Sequence, residues 1–97
     1  MNISGYNFEG PWPLGQSFID TPGVYVVYTV QKWLDVGETD KLGSRINGDN
    51  HERKPQWISA SGGLPIGIAF LRVNEPKVRL VIESLLRLSL KPICGER

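Results

Sequence analysis

The chain has 97 residues, a length that fits one domain with a modest hydrophobic core. Apolar residues make up 40% of it, charged residues make up 22%, and the net charge is +1. This charge excludes a strongly basic surface over the whole domain but leaves room for a local basic face. The single cysteine excludes an internal disulfide and favours a reducing compartment.

The apolar segments are shorter than the ~20 residues that span a bilayer, so we expect no membrane partner. The first residues, MNISGYNFEGPWPLG, lack the basic and apolar regions of a signal peptide. We therefore expect a cytoplasmic protein. With one cysteine and one histidine, the chain offers no Cys/His zinc site.

Glycine and proline are dense in the first part of the chain, which predicts an irregular N-terminal arm over residues 1–19. Large apolar side chains in it are seldom left in water, so the arm should pack on the domain formed by residues 20–97. Those side chains are Phe8, Trp12 and Phe18.

Two strands are predicted next, GVYVVYTV at residues 23–30 and WLDVGE at residues 33–38, the first of them buried and central. The short connection makes them an antiparallel hairpin. A two-residue turn would place Asp35 on the face opposite Tyr25, whereas a three-residue turn or a bulge would place both on one face.

A helix is predicted over residues 41–47, followed by a polar loop at 47–56, a third strand at 64–73 and a last helix at 75–90. Asn74 is a candidate cap for the last helix. Its apolar set is broad, so we expect this helix to lie mostly buried. The fold class is α+β, with a small three-stranded, mainly antiparallel sheet, flanking helices and the order ββαβα.

Basic residues gather after the hairpin and suit a phosphate-facing patch, although a mixed solvated surface gives the same pattern. The nucleic-acid-binding candidates are Lys41, Arg45, Arg53 and Lys54. His51 lies among them and is a candidate for proton transfer.

Two further residues have both a structural and a functional interpretation. Tyr25 is either a core aromatic or a residue that handles a proton. Glu83 lies four residues from both Arg79 and Arg87, which indicates either an ion-pair stripe or a carboxylate that binds a cation.

The order of these residues resembles the GIY-YIG nuclease family. GVY at residues 23–25 is similar to its first motif, and DVG at residues 35–37 stands where its second motif belongs. Arg45 matches the arginine of the following helix, and His51 matches a histidine often found just beyond it. Glu83 matches the metal-binding glutamate of the late helix.

The resemblance covers about residues 20–96 and implies a metal-dependent endonuclease that hydrolyses phosphodiester bonds in DNA. Glu83 would hold one Mg²⁺ or Mn²⁺ ion. Tyr25 would help to deprotonate water, and Arg45 would neutralise the charge that develops on phosphorus.

Asp35 departs from the pattern, because the second motif has a tyrosine at this place. It is a candidate catalytic residue, as an additional metal ligand or a replacement base, or it marks the loss of the reaction. The alternative function is a catalytically inactive module that binds nucleic acid or a partner. With little chain outside the domain, specificity would come from a homodimer, a partner protein or the shape of the substrate.

Overall fold

The computed structural model describes residues 1–47 and 53–94. Over these residues it is an α+β structure with a two-stranded sheet, a four-stranded sheet and three helices. The strands are β1 (Asn2–Ile3), β2 (Tyr6–Asn7), β3 (Glu9–Pro13), β4 (Gly23–Tyr28), β5 (Trp33–Thr39) and β6 (Gly67–Arg72). The helices are α1 (Leu42–Asn47), α2 (Lys54–Ser61) and α3 (Pro76–Leu90).

The larger sheet has the order β3-β6-β4-β5, and every neighbouring pair in it is antiparallel. Strand β4 is central, and its residues are buried except for the half-buried Tyr28, as its apolar composition on both faces predicts. Strand β5 lies at one edge, against helices α2 and α3.

The sheet has four strands rather than the predicted three, because the N-terminal arm is not irregular. Residues of the arm form the β1–β2 hairpin and the edge strand β3, which pairs with β6. The prolines that suggested irregularity lie on this edge strand, where a missing N–H need not break a ladder of hydrogen bonds. Trp12 stacks on Phe70 at 5.1 Å between ring centroids, so the arm does pack on the domain.

Helix α2 was not predicted, since residues 47–56 read as a polar loop. The structure begins this helix at Lys54, with Pro55 in the first turn, where proline is tolerated. It ends at Gly62, which adopts a left-handed conformation with φ 62°. Within the described residues, the chain from Gly23 therefore runs β, β, α, α, β, α.

The sheet separates two apolar clusters. One face packs against α1 and α2, with Tyr25, Leu42 and Trp57 among its buried members. The other face packs against α3 and the β1–β2 hairpin, with Val26, Ile82 and Leu86 among its buried members. Tyr25 therefore points toward α1 and α2, away from most of α3.

Helix α3 contradicts the prediction that it lies mostly buried. It buries Ile82 and Leu86 together with two arginines, Arg79 and Arg87, while most of its apolar residues stay exposed. The predicted cap at Asn74 is also wrong, because the cap position is Glu75 and it makes no side-chain capping bond. The apolar composition of the helix did not reveal which face it buries.

Among the described residues, no helix is long and apolar enough to cross a membrane.

Because α3 has a buried and an exposed face, we expect a large loss of stability from truncating a leucine on the first face and a small change from truncating one on the second. Leu86→Ala should destabilise the chain by about 2–5 kcal/mol, because it leaves a cavity against the sheet. Leu80→Ala, at a position 52% exposed, should change the free energy of unfolding by at most about 0.5 kcal/mol. Urea unfolding measures both, and equal losses would contradict the observed orientation of α3.

Candidate functional site at the edge strand

The register of the β4–β5 hairpin brings Tyr25 and Asp35 to one face of the sheet. Tyr25 lies opposite Gly37 and Val27 lies opposite Asp35, with a register shift before the next pair. Residues two apart on a strand share a face, so the bulge at Leu34 selects one of the two arrangements left open by the sequence. Asp35 thus faces the same side as Tyr25, on the edge strand.

The carboxylate of Asp35 is fully buried and accepts bonds from several donors. Arg87 Nη2 donates to Oδ1 at 2.7 Å, and Arg53 Nη1 lies 3.2 Å from both oxygens. Trp57 Nε1 donates to Oδ2 at 2.8 Å, and the backbone N–H of Val36 donates to Oδ1 at 2.8 Å. A carboxylate held in this way is neither a ready base nor an open metal ligand.

Arg87 reaches from α3 around the edge strand. Its guanidinium donates to Asp35 and to the backbone carbonyl of Val36, and it contacts the carbonyl of Cys94 at 3.5 Å. Its side chain is only 2% exposed. Because a buried charge without a partner is costly, Asp35 and Arg87 depend on each other.

Tyr25 packs its hydroxyl end over Gly37, and only glycine fits at that position. A Cβ added to Gly37 would overlap with Cζ and Oη of Tyr25. Burial raises the pKa of Tyr25, while the adjacent Arg45 acts in the opposite direction. The phenol is therefore neutral near pH 7, and it can donate or orient a proton more readily than it can remove one.

Arg53 interacts electrostatically with both Tyr25 and Glu83. Burial tends to lower the pKa of Arg53, but the charge and hydrogen bonds of Asp35, together with Tyr25 and Glu83, raise it above the ordinary value. Glu83 is 19% exposed, and its Oε2 lies 3.9 Å from Arg87 Nε. Arg45, Tyr25, Arg53 and Glu83 thus form a continuous electrostatic group, although they come from four elements or their flanks.

Arg45 borders a polar groove of about 500 Å³ between the end of β5 and the start of α3. The groove is lined by Glu38, Thr39, Asp40, Arg45, Pro76, Arg79 and Leu80. Among the described residues, the buried Nε of Arg45 has no hydrogen-bond partner. A guanidinium at a polar groove is a suitable donor for phosphate oxygens.

The other predicted residues fall outside this group or take different roles. His51 lies outside the described residues. Lys41 is exposed, and its positive charge interacts with the carboxylate of Asp20. Lys54 is the first residue of α2, directly after Arg53. The predicted ion-pair stripe of α3 is only half formed, because Arg79 donates to Glu38 at 3.0 Å instead of pairing with Glu83.

Two members of the buried network were not identified from sequence. The sequence patterns predict Arg87 only as an ion-pair partner of Glu83, and Trp57 is not among the candidates that they mark. A signal was present for both. An arginine inside the apolar run LLRLSL has to be paired if it is buried, and Arg53 and Trp57 are four residues apart, which is one helical turn.

A hard divalent ion would find one carboxylate here, that of Glu83, with the guanidinium groups of Arg87 and Arg53 beside it. Mg²⁺ accepts one or two carboxylates, keeps several waters and uses phosphate oxygens of the substrate. Glu83 supplies one such carboxylate at a partly exposed position. Among residues 1–47 and 53–94, no group of three or more His, Cys, Asp or Glu side chains forms a protein-only metal cage.

Compared with family models, with curated proteins and with solved structures, the chain matches none of them.

The buried network predicts a large effect of a small change at Asp35. Asp35→Asn keeps the size of the side chain but leaves Arg87 buried beside a neutral group, and should cost about 3–5 kcal/mol of folding free energy. Glu9→Gln is the matched control, since it removes a carboxylate from the exposed pair with Arg72 and should cost less than about 1 kcal/mol. Urea denaturation compares them, and equal costs would show that the buried network contributes little.

The raised pKa of Tyr25 predicts a loss of folding stability at alkaline pH. Its pKa is raised in the folded chain above the ordinary phenol value of about 10, so its stabilisation is complete below pH ~10 and is lost as pH rises through the folded pKa. Between about pH 8 and about pH 11, wild type should therefore lose more unfolding free energy than Tyr25→Phe. Tyr28, whose pKa burial also raises, is present in both proteins. Parallel stability curves would contradict this role of Tyr25.

Proposed function

We propose that the protein is a metal-dependent nuclease of the GIY-YIG type, with DNA as its substrate and its site at the edge strand β5. The observation that carries this proposal is the series of electrostatic interactions from Arg45, which borders the polar groove, through Tyr25 and Arg53 to Glu83. These are the residue types that phosphodiester hydrolysis needs, namely a phenol, cationic donors and a carboxylate.

Each side chain has a role that follows from its surroundings. Arg45 binds a phosphate oxygen from the wall of the groove and balances the negative charge that grows during attack at phosphorus. Tyr25, neutral at pH 7, orients the attacking water through its hydroxyl. Arg53 is anchored by Asp35, so its guanidinium stays fixed near Tyr25 and Glu83 as a second positive group.

Glu83 is the residue that would hold Mg²⁺ or Mn²⁺. The ion, when bound, polarises the phosphodiester and lowers the pKa of a coordinated water. Because the bound ion would activate the water, Tyr25 need not act as the base, and its raised pKa makes it unsuited to that role.

The identity and the hydrogen bonds of Asp35 favour a second candidate function, in which the chain is a non-catalytic module that binds nucleic acid or a partner. Asp35 stands where the family has its second tyrosine, and its carboxylate is held by Arg87, Arg53 and Trp57. A group held in this way replaces neither a phenol nor a base. Under this alternative, Arg45 and the groove bind phosphate without cleavage.

We further infer that the protein works in the cytoplasm, because its single cysteine has no internal disulfide partner. Burial also raises the pKa of the Cys94 thiol, which keeps it unreactive.

The nuclease proposal predicts Mg²⁺- or Mn²⁺-dependent nicking of supercoiled DNA that EDTA abolishes. Glu83→Gln should lower the rate by about a hundred-fold or more, since it removes the charge that holds the ion. Glu9→Gln, on the opposite edge strand β3, should cleave at the wild-type rate. Equal cleavage by wild type and Glu83→Gln would identify a contaminating nuclease and end the site assignment.

The same preparations separate the two candidate functions. If no metal supports cleavage but DNA binding falls steeply with salt and weakens in Arg45→Met, the non-catalytic module is correct. If the protein neither cuts nor binds DNA, the nuclease and the DNA-binding module both fail, and only a module that binds another partner is left.

A further inference from the structure

Helix α3 presents a stripe of large apolar side chains to solvent. Val78, Val81, Leu85 and Leu88 are 45%, 58%, 49% and 69% exposed, while Ile82 and Leu86 of the same helix are buried against the sheet. Scattered exposed apolar residues are ordinary, but four on one helix face form a continuous patch.

The spacing of the four residues is that of a helix–helix seam. They follow one another by three, four and three positions, which corresponds to the a and d positions of a heptad. At 3.6 residues per turn they fall within an arc of about 80° on the helix surface. Leu80, also exposed, lies about 120° from the centre of this stripe.

We propose that this stripe is the interface of a homodimer, in which α3 packs antiparallel against α3 of a second copy around a two-fold axis at the level of residue 83. This axis places Val78 against Leu88 of the second copy, and Val81 against Leu85. Each layer then combines one smaller and one larger side chain, which fills the seam evenly. A parallel arrangement would instead give two valine layers and two leucine layers.

The helix dipoles and the position of Lys77 agree with the antiparallel arrangement. The two-fold axis separates the two copies of Lys77 by about 18 Å along the helix axis. A parallel arrangement would bring these lysines, and the positive ends of both helix dipoles, together.

The exposed area is sufficient for a small specific interface. The four side chains present on the order of 400 Å² of mainly apolar surface per copy, or about 800 Å² for two copies. Specific interfaces begin near 1,200 Å² in total, and homodimer interfaces are about 65% apolar, which again corresponds to about 800 Å² of apolar surface. Glu83 lies outside the stripe, so the dimer does not depend on the proposed nuclease chemistry.

Sedimentation velocity of the full chain over a range of concentrations tests the proposal. Wild type should sediment as a dimer, and Leu85→Glu should weaken self-association by at least about 30-fold. Leu80→Glu is the matched control, since it introduces the same charge on the same helix at a similar exposure and should remain dimeric. Circular dichroism checks that both variants fold, and Leu88→Lys, at the most exposed position of the stripe, gives a second test.

Disulfide cross-linking tests the direction of the helices. In a Cys94→Ser background, a mixture of Val81→Cys and Leu85→Cys chains should form mixed disulfides in preference to either symmetric pair. Symmetric pairs alone would overturn the antiparallel seam. A wild type that stays monomeric at about 100 µM, which corresponds to about −5.5 kcal/mol of association free energy, would overturn the dimer. A dimer that survives Leu85→Glu, or dissociates equally in Leu80→Glu, would also overturn it.

Discussion

The buried carboxylate of Asp35 and the two arginines that hold it organise the edge of the sheet. Arg87 lies on α3, Arg53 directly precedes α2, and Trp57 lies within α2. The carboxylate of Asp35 therefore joins β5, α2 and α3. Arg87 also binds the carbonyls of Val36 and Cys94, which ties in the chain beyond α3. Since the desolvated charges are tolerable only together, the position of each helix against β5 depends on the same contact.

This network explains the unusual orientation of α3. A helix with eight aliphatic residues would be expected to turn most of them inward, yet it buries Arg79 and Arg87 beside Ile82 and Leu86. Arg79 has partners in Glu38 and in the carbonyls of Val73 and Asn74. With both arginines satisfied at the sheet, the remaining apolar residues face outward, and the hydrophobic effect favours covering them by association with another chain.

The same network positions the proposed catalytic group without taking part in the reaction. Asp35 fixes Arg53, which in turn connects Tyr25 with Glu83, while Gly37 leaves room for the Tyr25 hydroxyl. Asp35 is thus a structural residue in this chain. Its buried ion pairs supply rigidity to the positive side of the site, a property that a binding site for phosphate needs whether or not cleavage follows.

Local signals in the sequence determined the α+β class, the buried strand β4, the β4–β5 hairpin, helix α1 and the extent of α3, because strand and helix periodicity reflect short-range backbone chemistry. They also marked Tyr25, Arg45, Arg53 and Glu83 as candidates. Only the tertiary structure decided that the arm adds strand β3, that Asp35 shares a face with Tyr25, and that α3 turns its arginines inward. Strand pairing, a single bulge residue and the partner of a buried charge all depend on contacts between residues distant in the chain, on which local patterning carries no information.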